Sequence, residues 1–419
     1  MKKKILSGIS LILVLVISVG ALSSCIGFDL SGEEYLTRED FDELLNDRML
    51  GEVTVEAGDN YNVTIEGGGG EDLSTAAVTL LSSVSVECLF TSGSGYSATV
   101  SGSSGSGVIY QLDKTSGDAI IITNYHVVYS SSAGISKDIT VNLYGQEHSD
   151  YDIAATYVGG SMYYDIAVLR VEDSEILARS NAIAAKVADS DEVAVLDTAI
   201  AIGNAAGEGI SATAGHVNVD SEDIIISFNV GSYAKQVQLR VMRIDTAVNS
   251  GNSGGGLFNE RGELIGIVNA KMTDSADDNI DNIGYAIPSN VAKYVVDNIL
   301  YYCLDTDKSA VYRCILGITV TAAEMYTEYD LESGRVYKCE RVAVATVNKG
   351  AAAEGKLKKD DVINSITIDG TTYEVTRIHN VVDVMLNARV GSSVSMNITR
   401  GTETLDVTLD ITEDLLTEY

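Results

Sequence analysis

The sequence predicts a mainly β protein, built as a β-sandwich or a pair of β-barrels and followed by a separate small module. Short β-type runs such as "AIIITNYHVV" and "IAVLRVE" recur between residues 76 and 302 at intervals of roughly ten residues, split by Gly, Ser and Asp turns. The segment "PSNVAKYVVDNILYY" then changes to a helical period, with Val291, Val295 and Ile299 on one face. From residue 311 onward, "RCILGITV", the helical "NVVDVMLNAR" and alternating strands indicate a second folded module.

Composition limits the classes of partner. The 419 residues include 60 acidic and 28 basic side chains, a formal net charge of −32. Such a field repels phosphate backbones and anionic headgroups, so the sequence predicts no nucleic-acid partner. Contact with an anionic membrane therefore requires an anchor. The 45% apolar content, 39 glycines and single proline are typical of a folded, turn-rich chain.

Residues 1–25 provide such an anchor. Three lysines, an apolar run and small residues before Cys25 predict a secretory signal. The stretch "LSSC" resembles the lipobox of bacterial lipoproteins, in which the cysteine carries acyl chains, and two or more chains hold stably. An uncleaved signal anchor is the alternative, because Ile5 to Leu22 is nearly the roughly 20 residues that span a bilayer. Both readings predict an extracytoplasmic protein anchored to the bacterial cell membrane.

Residues 26–75 are interpreted as an acidic spacer that holds the body away from the membrane. They contain a predicted helix at "TREDFDELLNDRM", an alternating hairpin pattern at "EVTVEAGDNYNVTIEG" and a flexible break at Gly67 to Gly70. A trimerising or regulatory role is the alternative.

No metal or cofactor is predicted. Cysteines 88, 303, 314 and 339 have no zinc-type spacing and are interpreted as buried thiols, with a Cys303–Cys314 bridge as the alternative. The acidic loop "DSADDNIDN" lacks the Gly and Glu of a calcium-binding loop, so solvated surface is predicted there.

The stretch "NSGNSGGGLF" raises the possibility of a nucleophilic serine. Serine hydrolysis needs a nucleophile, a base and donors for the oxyanion. Gly251, Gly254 and Gly255 around Ser253 permit positive φ and close approach of a substrate. The N–H groups of Gly251 and Ser253 are the predicted oxyanion hole.

The base must be one of four histidines. His126 ends an apolar strand and is therefore well positioned, while His216 in "SATAGHVNVD" is its rival. His148 and His379 are expected to be solvated. Asp165 in "YYDIAVLRV" stands against an apolar strand, where a half-buried carboxylate needs a partner such as a histidine N–H.

The motifs "TNYHVV", "DIAVLRV", "AIGN", "NSGNSGGGLF" and "GYAIPSN", in this order, resemble the HtrA/DegP family of trypsin-like serine proteases. The resemblance implies a protease domain of two six-stranded β-barrels at 76–305, a linker at 306–310 and a PDZ domain at 311–415. It implies that His126 is the general base and then acid, that Asp165 orients it, and that Ser253 forms the acyl-enzyme. Homotrimers are also implied.

Two departures from the family pattern lie near the site. Gly256 and Ala205 stand where the family usually has proline, and both changes are expected to loosen nearby loops. Ala247, six residues before Ser253, is the candidate for the S1 pocket, and an uncharged pocket favours small aliphatic residues before the cut. The direction of the neighbouring Asp245 carboxylate stays open.

The terminal module contains "ILGI", formed by Ile315, Leu316, Gly317 and Ile318. Apolar residues around a glycine allow backbone N–H groups to turn toward the terminal carboxylate of a peptide that adds to the sheet edge. Arg313 is expected to assist by its charge. Asp360 stands where the family turn usually has glycine, and aspartate tolerates left-handed geometry.

The sequence therefore predicts a membrane-tethered serine endopeptidase that cleaves unfolded or damaged proteins and recognises peptide C-termini through its PDZ domain. A non-catalytic chaperone or peptide-binding scaffold is the alternative from another class. A regulated protease that cuts one signalling substrate is a third possibility.

Overall fold

The computed structural model describes residues 53–56, 62–65, 74–93, 98–147, 149–231, 233–269 and 283–419. The predicted signal with Cys25, the predicted helix at 37–49, the glycine break, His148 and the acidic loop at 274–282 lie outside these ranges. The chain divides into two compact units, one of residues 1–54 with 64–68 and the other of 55–63 with 69–419. Every element from residue 74 onward belongs to the second unit.

The α-helices are α1 (Ser74–Ala77), α2 (Tyr125–Val128), α3 (Glu175–Arg179), α4 (Ser289–Cys303) and α5 (Ile378–Asp383). The strands are β1 (Val53–Glu56), β2 (Asn62–Ile65), β3 (Ser83–Ser92), β4 (Thr99–Asp113), β5 (Asp118–Thr123), β6 (Tyr129–Ser130), β7 (Gly134–Ile135), β8 (Asp138–Leu143), β9 (Ile153–Ser161), β10 (Ile166–Val171), β11 (Lys186–Val187), β12 (Thr198–Gly203), β13 (Ser211–Val230), β14 (Tyr233–Ile244), β15 (Gly256–Phe258), β16 (Glu263–Asn269), β17 (Gly284–Pro288), β18 (Tyr312–Cys314), β19 (Ile318–Tyr329), β20 (Val336–Val347), β21 (Val362–Ile368), β22 (Thr371–Glu374), β23 (Ser393–Arg400), β24 (Glu403–Asp410) and β25 (Leu416–Glu418).

The first barrel is closed, in the order β10-β5-β4-β3-β8-β9. Its strands are rich in β-branched residues, which pack well on a pleated surface. Their inward side chains form one buried cluster that includes Val84, Ile109, Ile121 and Leu169. The predicted strands of the hairpin before the barrel are also present, because β1 and β2 pair as a two-stranded sheet.

The second barrel has the order β16-β15-β12-β13-β14-β17 and closes through pairing of β16 with β17. The short strand β11 adds to β16 in parallel. The expected pair of six-stranded barrels is therefore confirmed. Strands β13 and β14 stay paired from Val217–Ile244 out to Val230–Tyr233, a long hairpin.

Helix α4 follows the second barrel, as predicted. Val291, Val295 and Ile299 are buried on one face of it. Asn298 in the same helix is also buried, and its amide donates to the carbonyl oxygens of Tyr312 (2.8 Å) and Leu386 (2.9 Å). The helix therefore fixes the start of the terminal domain. Among the described residues, no helix is both long and apolar enough to cross a bilayer.

The terminal domain is a sheet in the order β19-β20-β21-β23-β24, with β22 on β21, and α5 contacts β19. Val342, Ile366, Met385 and Met396 belong to its buried cluster. Asp360 has φ 68°, the left-handed geometry expected at this turn. The last strand, β25, pairs with β18, so the end of the chain returns to the start of the domain.

Ion pairs join the terminal domain to the second barrel. The Arg377 guanidinium lies 2.6 Å from the Asp220 carboxylate, and the Asp383 carboxylate lies 2.9 Å from the Arg240 guanidinium. Asp220 and Arg240 lie on β13 and β14, whereas Arg377 and Asp383 cap and end α5. The long hairpin of the protease domain is therefore docked on this helix.

The expectation that His379 is solvated is wrong. Its side chain is 19% exposed because α5 packs against the second barrel, and Nε2 lies 3.9 Å from an Asp191 oxygen. Burial, with the charges of Arg240 and Arg377, lowers the pKa of His379 to about 2. The imidazole is therefore neutral at physiological pH.

The four described cysteines are free and buried, as interpreted from their spacing. Burial raises the pKa of the Cys303 and Cys314 thiols to about 11 and that of Cys88 to about 12. Because the thiolate is the reactive form, these are unreactive core residues. The alternative Cys303–Cys314 bridge is absent.

Candidate active site

Three separate turns hold the three predicted catalytic side chains. Strand β5 ends at Thr123, and the single-turn helix α2 that follows carries His126. Asp165 immediately precedes β10 of the same barrel, and Ser253 lies in the turn before β15 of the other barrel. The site is therefore formed where the two barrels meet.

The structure brings these side chains into one chain of hydrogen bonds. His126 Nδ1 lies 2.7 Å from Asp165 Oδ2, and His126 Nε2 lies 2.9 Å from Ser253 Oγ. The Asp165 side chain is fully buried, whereas the imidazole is 21% exposed. Because an ionised carboxylate only accepts, it favours the tautomer with the proton on Nδ1 and leaves the Nε2 lone pair facing the serine hydroxyl.

The rival histidine lies elsewhere. The His216 ring is 54% exposed, and its Nδ1 is 4.0 Å from the Asp245 carboxylate. Asp245 also accepts a hydrogen bond from the His216 backbone N–H at 2.6 Å, which answers where this carboxylate points. The pair sits on the surface of the second barrel, so His126 is the histidine that faces Ser253.

Asp165 is held by more contacts than the sequence suggested. Its Oδ1 accepts the His126 backbone N–H at 3.0 Å, and its Oδ2 also accepts from the Asn269 side-chain amide at 2.8 Å. Its backbone oxygen accepts from the Asn124 amide at 2.8 Å. Sequence reasoning missed Asn269, whose only signal was its position at the end of the apolar run "GELIGIVNA". A buried carboxylate with this many donors keeps its orientation.

The turn before Ser253 depends on glycine. Gly251 has φ 99° and Gly254 has φ 84°, in the region that side chains disfavour. A Cβ on Gly251 would lie 2.2 Å from the Asn204 oxygen, and one on Gly254 would lie 2.3 Å from the Ser106 oxygen. Both glycines are therefore required for the backbone to approach its neighbours this closely.

The direction of the Gly251 N–H follows from its neighbour. The Ser250 carbonyl accepts a hydrogen bond from the Ala206 N–H at 2.7 Å. In a trans peptide the carbonyl and the next N–H point in opposite directions, so the Gly251 N–H faces away from the Ala206 loop. It donates to no other residue that the structure describes. Ala205, one of the two family departures, begins the turn that supplies this anchor.

The candidate S1 residue is accessible. Ala247 is exposed, and its backbone oxygen accepts from the Thr213 hydroxyl at 2.9 Å.

The predicted peptide-binding loop of the terminal domain has a suitable backbone. Gly317 has φ 70°, and a Cβ there would lie 2.2 Å from the Ala351 Cβ. The N–H groups of Leu316 and Gly317 donate to no residue in the described ranges, and Ile318 begins the edge strand β19. An unpaired loop beside a free strand edge is the arrangement that strand addition uses.

Arg313 does not serve this loop. Its guanidinium donates to the hydroxyls of Tyr164 at 3.1 Å and Tyr419 at 2.7 Å and stacks on the Tyr419 ring. The expectation that its charge assists a bound carboxylate is therefore wrong. It instead links the first barrel to the end of the chain.

The fold and the site together define a serine endopeptidase with a PDZ domain. Consistent with this, the trypsin-like peptidase domain family matches residues 105–267, and the PDZ domain family matches residues 314–411. Serine protease Do-like HtrA of Bacillus subtilis (strain 168) is 32% identical over 340 residues, covering 79% of this chain and 69% of the relative. The chain belongs to the HtrA family of serine proteases.

Two further proteins are similar. Periplasmic serine endoprotease DegP of Escherichia coli (strain K12) is 34% identical over 266 residues, 62% of this chain and 48% of DegP. The solved structure titled "HtrA-type protease AlgW with decapeptide" is 23% identical, with a TM-score of 0.48, and covers 82% of this chain and 98% of that chain.

Proposed function

We propose that the protein cleaves peptide bonds by a Ser-His-Asp acyl-enzyme mechanism. The observation that carries this proposal is the hydrogen-bond chain from Ser253 Oγ through His126 to Asp165, with distances of 2.9 and 2.7 Å. His126 Nε2 takes the hydroxyl proton as Ser253 attacks the scissile carbonyl, and the Asp165 carboxylate stabilises the imidazolium that forms.

The oxyanion of the tetrahedral intermediate then needs donors. The N–H groups of Gly251 and Ser253 are proposed to supply them, since the anchored Ser250 carbonyl turns the Gly251 N–H away from the Ala206 loop. His126 next protonates the leaving amine, and water releases the acyl group with His126 again acting as base. No metal or nucleotide enters this sequence of steps.

The test is cleavage of fluorescein-labelled unfolded casein by the purified full chain. Ser253→Ala is expected to lower kcat by about 10⁴-fold or more, because the nucleophile is lost. Ser250→Ala is the matched control, since Ser250 lies in the same turn and its backbone oxygen, not its side chain, makes the structural contact. Casein binding without cleavage by the unaltered chain would favour the scaffold alternative, and cleavage by Ser253→Ala would reject this nucleophile.

The proposed substrates are unfolded or damaged proteins, cut after small aliphatic residues. This proposal rests on the family resemblance and on Ala247, an exposed residue that places no charge at the candidate S1 position. Mapping the casein fragments by mass spectrometry tests it: Val, Ala and Ile should dominate before the cut. Ala247→Asp should increase cleavage after Lys and Arg, and an unchanged pattern would remove Ala247 from the pocket.

The PDZ domain is proposed to bind the free C-termini of peptides at Ile315, Leu316, Gly317 and Ile318. The two N–H groups that donate to no described residue and the free edge of β19 support it. A fluorescent peptide ending in apolar residues should bind, and the same peptide with an amidated C-terminus should bind at least tenfold more weakly. Gly317→Val should abolish binding, because the left-handed φ and the nearby Ala351 exclude a branched side chain.

The protein is further proposed to be extracytoplasmic and tethered to the bacterial membrane through lipidated Cys25. The support is the signal and lipobox pattern of residues 1–25. A mass spectrum of the amino-terminal peptide should show Cys25 carrying acyl chains, and Cys25→Ala should release the chain from membranes. An intact Met1 terminus would favour the uncleaved anchor.

A homotrimer is proposed on the family resemblance alone. Sedimentation equilibrium of the purified full chain tests it directly. We expect a mass three times that of one chain, which is 44.4 kDa before removal of the predicted signal. The mass of a monomer would reject the trimer.

A further inference from the structure

The turn from Ser250 to Ser253 contains Gly251, whose flexible backbone must be held by hydrogen bonds on both sides. Gly251 has no Cβ, so its φ and ψ are weakly restrained, and rotation there would redirect its N–H. The carbonyl before it, that of Ser250, is held by the Ala206 N–H of the second barrel at 2.7 Å. The carbonyl of Gly251 itself needs a second anchor.

Ser106 supplies that anchor from the first barrel. It lies in β4, fully buried, and its hydroxyl donates to the Gly251 carbonyl at 2.6 Å. The same Oγ accepts the Asn204 N–H at 2.7 Å. Because the oxygen is occupied as an acceptor by Asn204, its single proton is directed toward Gly251.

The backbone of Ser106 also forms hydrogen bonds with residues of the active site. Its N–H donates to the Ser253 carbonyl at 2.8 Å, and its own carbonyl accepts from the Thr123 hydroxyl at 2.7 Å. Thr123 ends the strand that leads to His126. One residue therefore contacts the carbonyls on both sides of Asn252 while it is held to the histidine-bearing strand.

Three other peptide groups in and beside the turn have partners of their own. The Asn252 N–H donates to the Asn249 oxygen at 3.0 Å, and the Asn252 carbonyl accepts from the Gly255 N–H at 2.9 Å. The Gly254 N–H donates to the Val268 oxygen at 2.9 Å. The Ser106 hydroxyl is thus the one side chain among the described residues that holds a carbonyl of the turn from Ser250 to Ser253.

We propose that Ser106 is a positioning residue for catalysis: its hydroxyl locks Gly251 in the conformation that presents the oxyanion-hole N–H. This inference rests on the proposed acyl-enzyme mechanism. Ser106 touches neither substrate nor reacting atoms, so its loss should weaken binding of the tetrahedral intermediate and leave binding of the extended substrate nearly unchanged.

The experiment compares full-length Ser106→Ala with the unaltered chain on fluorescein-labelled casein. We expect kcat to fall about 10- to 100-fold with KM within about twofold, since one oxyanion donor is worth about 10²–10³ and here it is displaced, not removed. The inhibition constant of a peptide boronate with valine before the boron should rise by a similar factor, because its tetrahedral adduct uses the same donors.

Ser85→Ala is the matched control. Ser85 is the buried serine directly opposite Ser106 on β3, and its hydroxyl donates to the Asn142 amide oxygen at 3.5 Å and to no carbonyl of the turn. Its loss should leave kcat and the boronate constant unchanged. Ser106→Cys, which keeps a weak donor of similar shape, should fall between Ser106→Ala and the unaltered chain, and it carries the test if Ser106→Ala does not fold.

The outcomes separate this inference from the mechanism beneath it. If Ser106→Ala lowers the thermal midpoint but leaves kcat and the boronate constant unchanged, Ser106 is merely structural and the proposal is overturned. If Ser253→Ala is inactive while Ser106→Ala keeps full kcat, only the positioning role fails. If Ser253→Ala still cleaves casein, the mechanism and the positioning role fail together.

Discussion

Asp383 gives the stability of the docked PDZ domain a defined pH dependence. The carboxylate ends α5 and faces the Arg240 guanidinium of β14 at 2.9 Å, with both side chains about nine-tenths buried. Burial raises the pKa of Asp383 from 3.8 to about 6, with Asp191 adding to the rise and Arg240 and Arg313 opposing it. Desolvation therefore outweighs the ion pair.

The direction of the pH dependence follows from the linkage between protonation of Asp383 and folding. A carboxyl group with a raised pKa destabilises the folded state when it is charged, so the penalty is complete above pH 6 and disappears as pH falls toward 3.8. A shift of about two pKa units corresponds to about 3 kcal/mol at ~1.4 kcal/mol per unit. Between about pH 7 and about pH 4.5, the part that is relieved is about 2 kcal/mol.

The perturbation is Asp383→Asn, which cannot titrate. Urea unfolding followed by circular dichroism at both pH values gives the free energy of unfolding of each protein. The unaltered chain should gain about 2 kcal/mol relative to Asp383→Asn as pH falls, whatever the absolute effect of losing the charge beside Arg240. Asp410→Asn is the control, because Asp410 is exposed and its variant should parallel the unaltered chain. A constant difference between the unaltered chain and Asp383→Asn would refute the raised pKa.

Three further predictions concern other contacts of the fold. Asn269→Ala removes the amide that donates to Asp165 Oδ2 at 2.8 Å and should lower kcat about tenfold with KM unchanged, whereas an unaltered kcat on casein would make this bond dispensable. Phe228→Ala empties a buried site on the long hairpin, where the ring meets Tyr125 edge-on at 6.2 Å, and should cost about 3–5 kcal/mol of unfolding free energy in urea. A loss of unfolding free energy below about 1 kcal/mol would mean that neighbouring side chains move in and fill the cavity. Removal of residues 416–419 deletes β25 and the Tyr419 ring that stacks on Arg313. The unfolding free energy of the PDZ domain, measured by calorimetry, should fall by about 2 kcal/mol. An unchanged PDZ unfolding transition would show that β18 needs no partner strand.

The sequence could predict what is encoded locally. The barrel strands follow from short β-branched runs, helix α4 from its apolar face, and the turn at Ser253 from its glycines. His126 and Asp165 could be selected because each borders an apolar strand. These are patterns within ten or so residues, where period and turn chemistry act directly.

The contacts that join distant segments were not predictable in this way. Arg377 and Asp220 are 157 positions apart, and nothing in either segment indicates the other. His379 was expected in solvent because it belongs to the terminal module, and it is buried because α5 docks on a hairpin of the protease domain. Asn269 and Ser106 have ordinary strand surroundings, and their roles depend on which buried group the fold places opposite them.

We propose that Ser253, His126 and Asp165 act as one catalytic unit. The direct measurement is the site and rate of labelling by a fluorophosphonate, mapped by tandem mass spectrometry on the unaltered chain and on His126→Ala. We expect a single labelled residue, Ser253, and a labelling rate that falls at least a hundredfold in His126→Ala. A label on another serine, or an equal rate in His126→Ala, would contradict it.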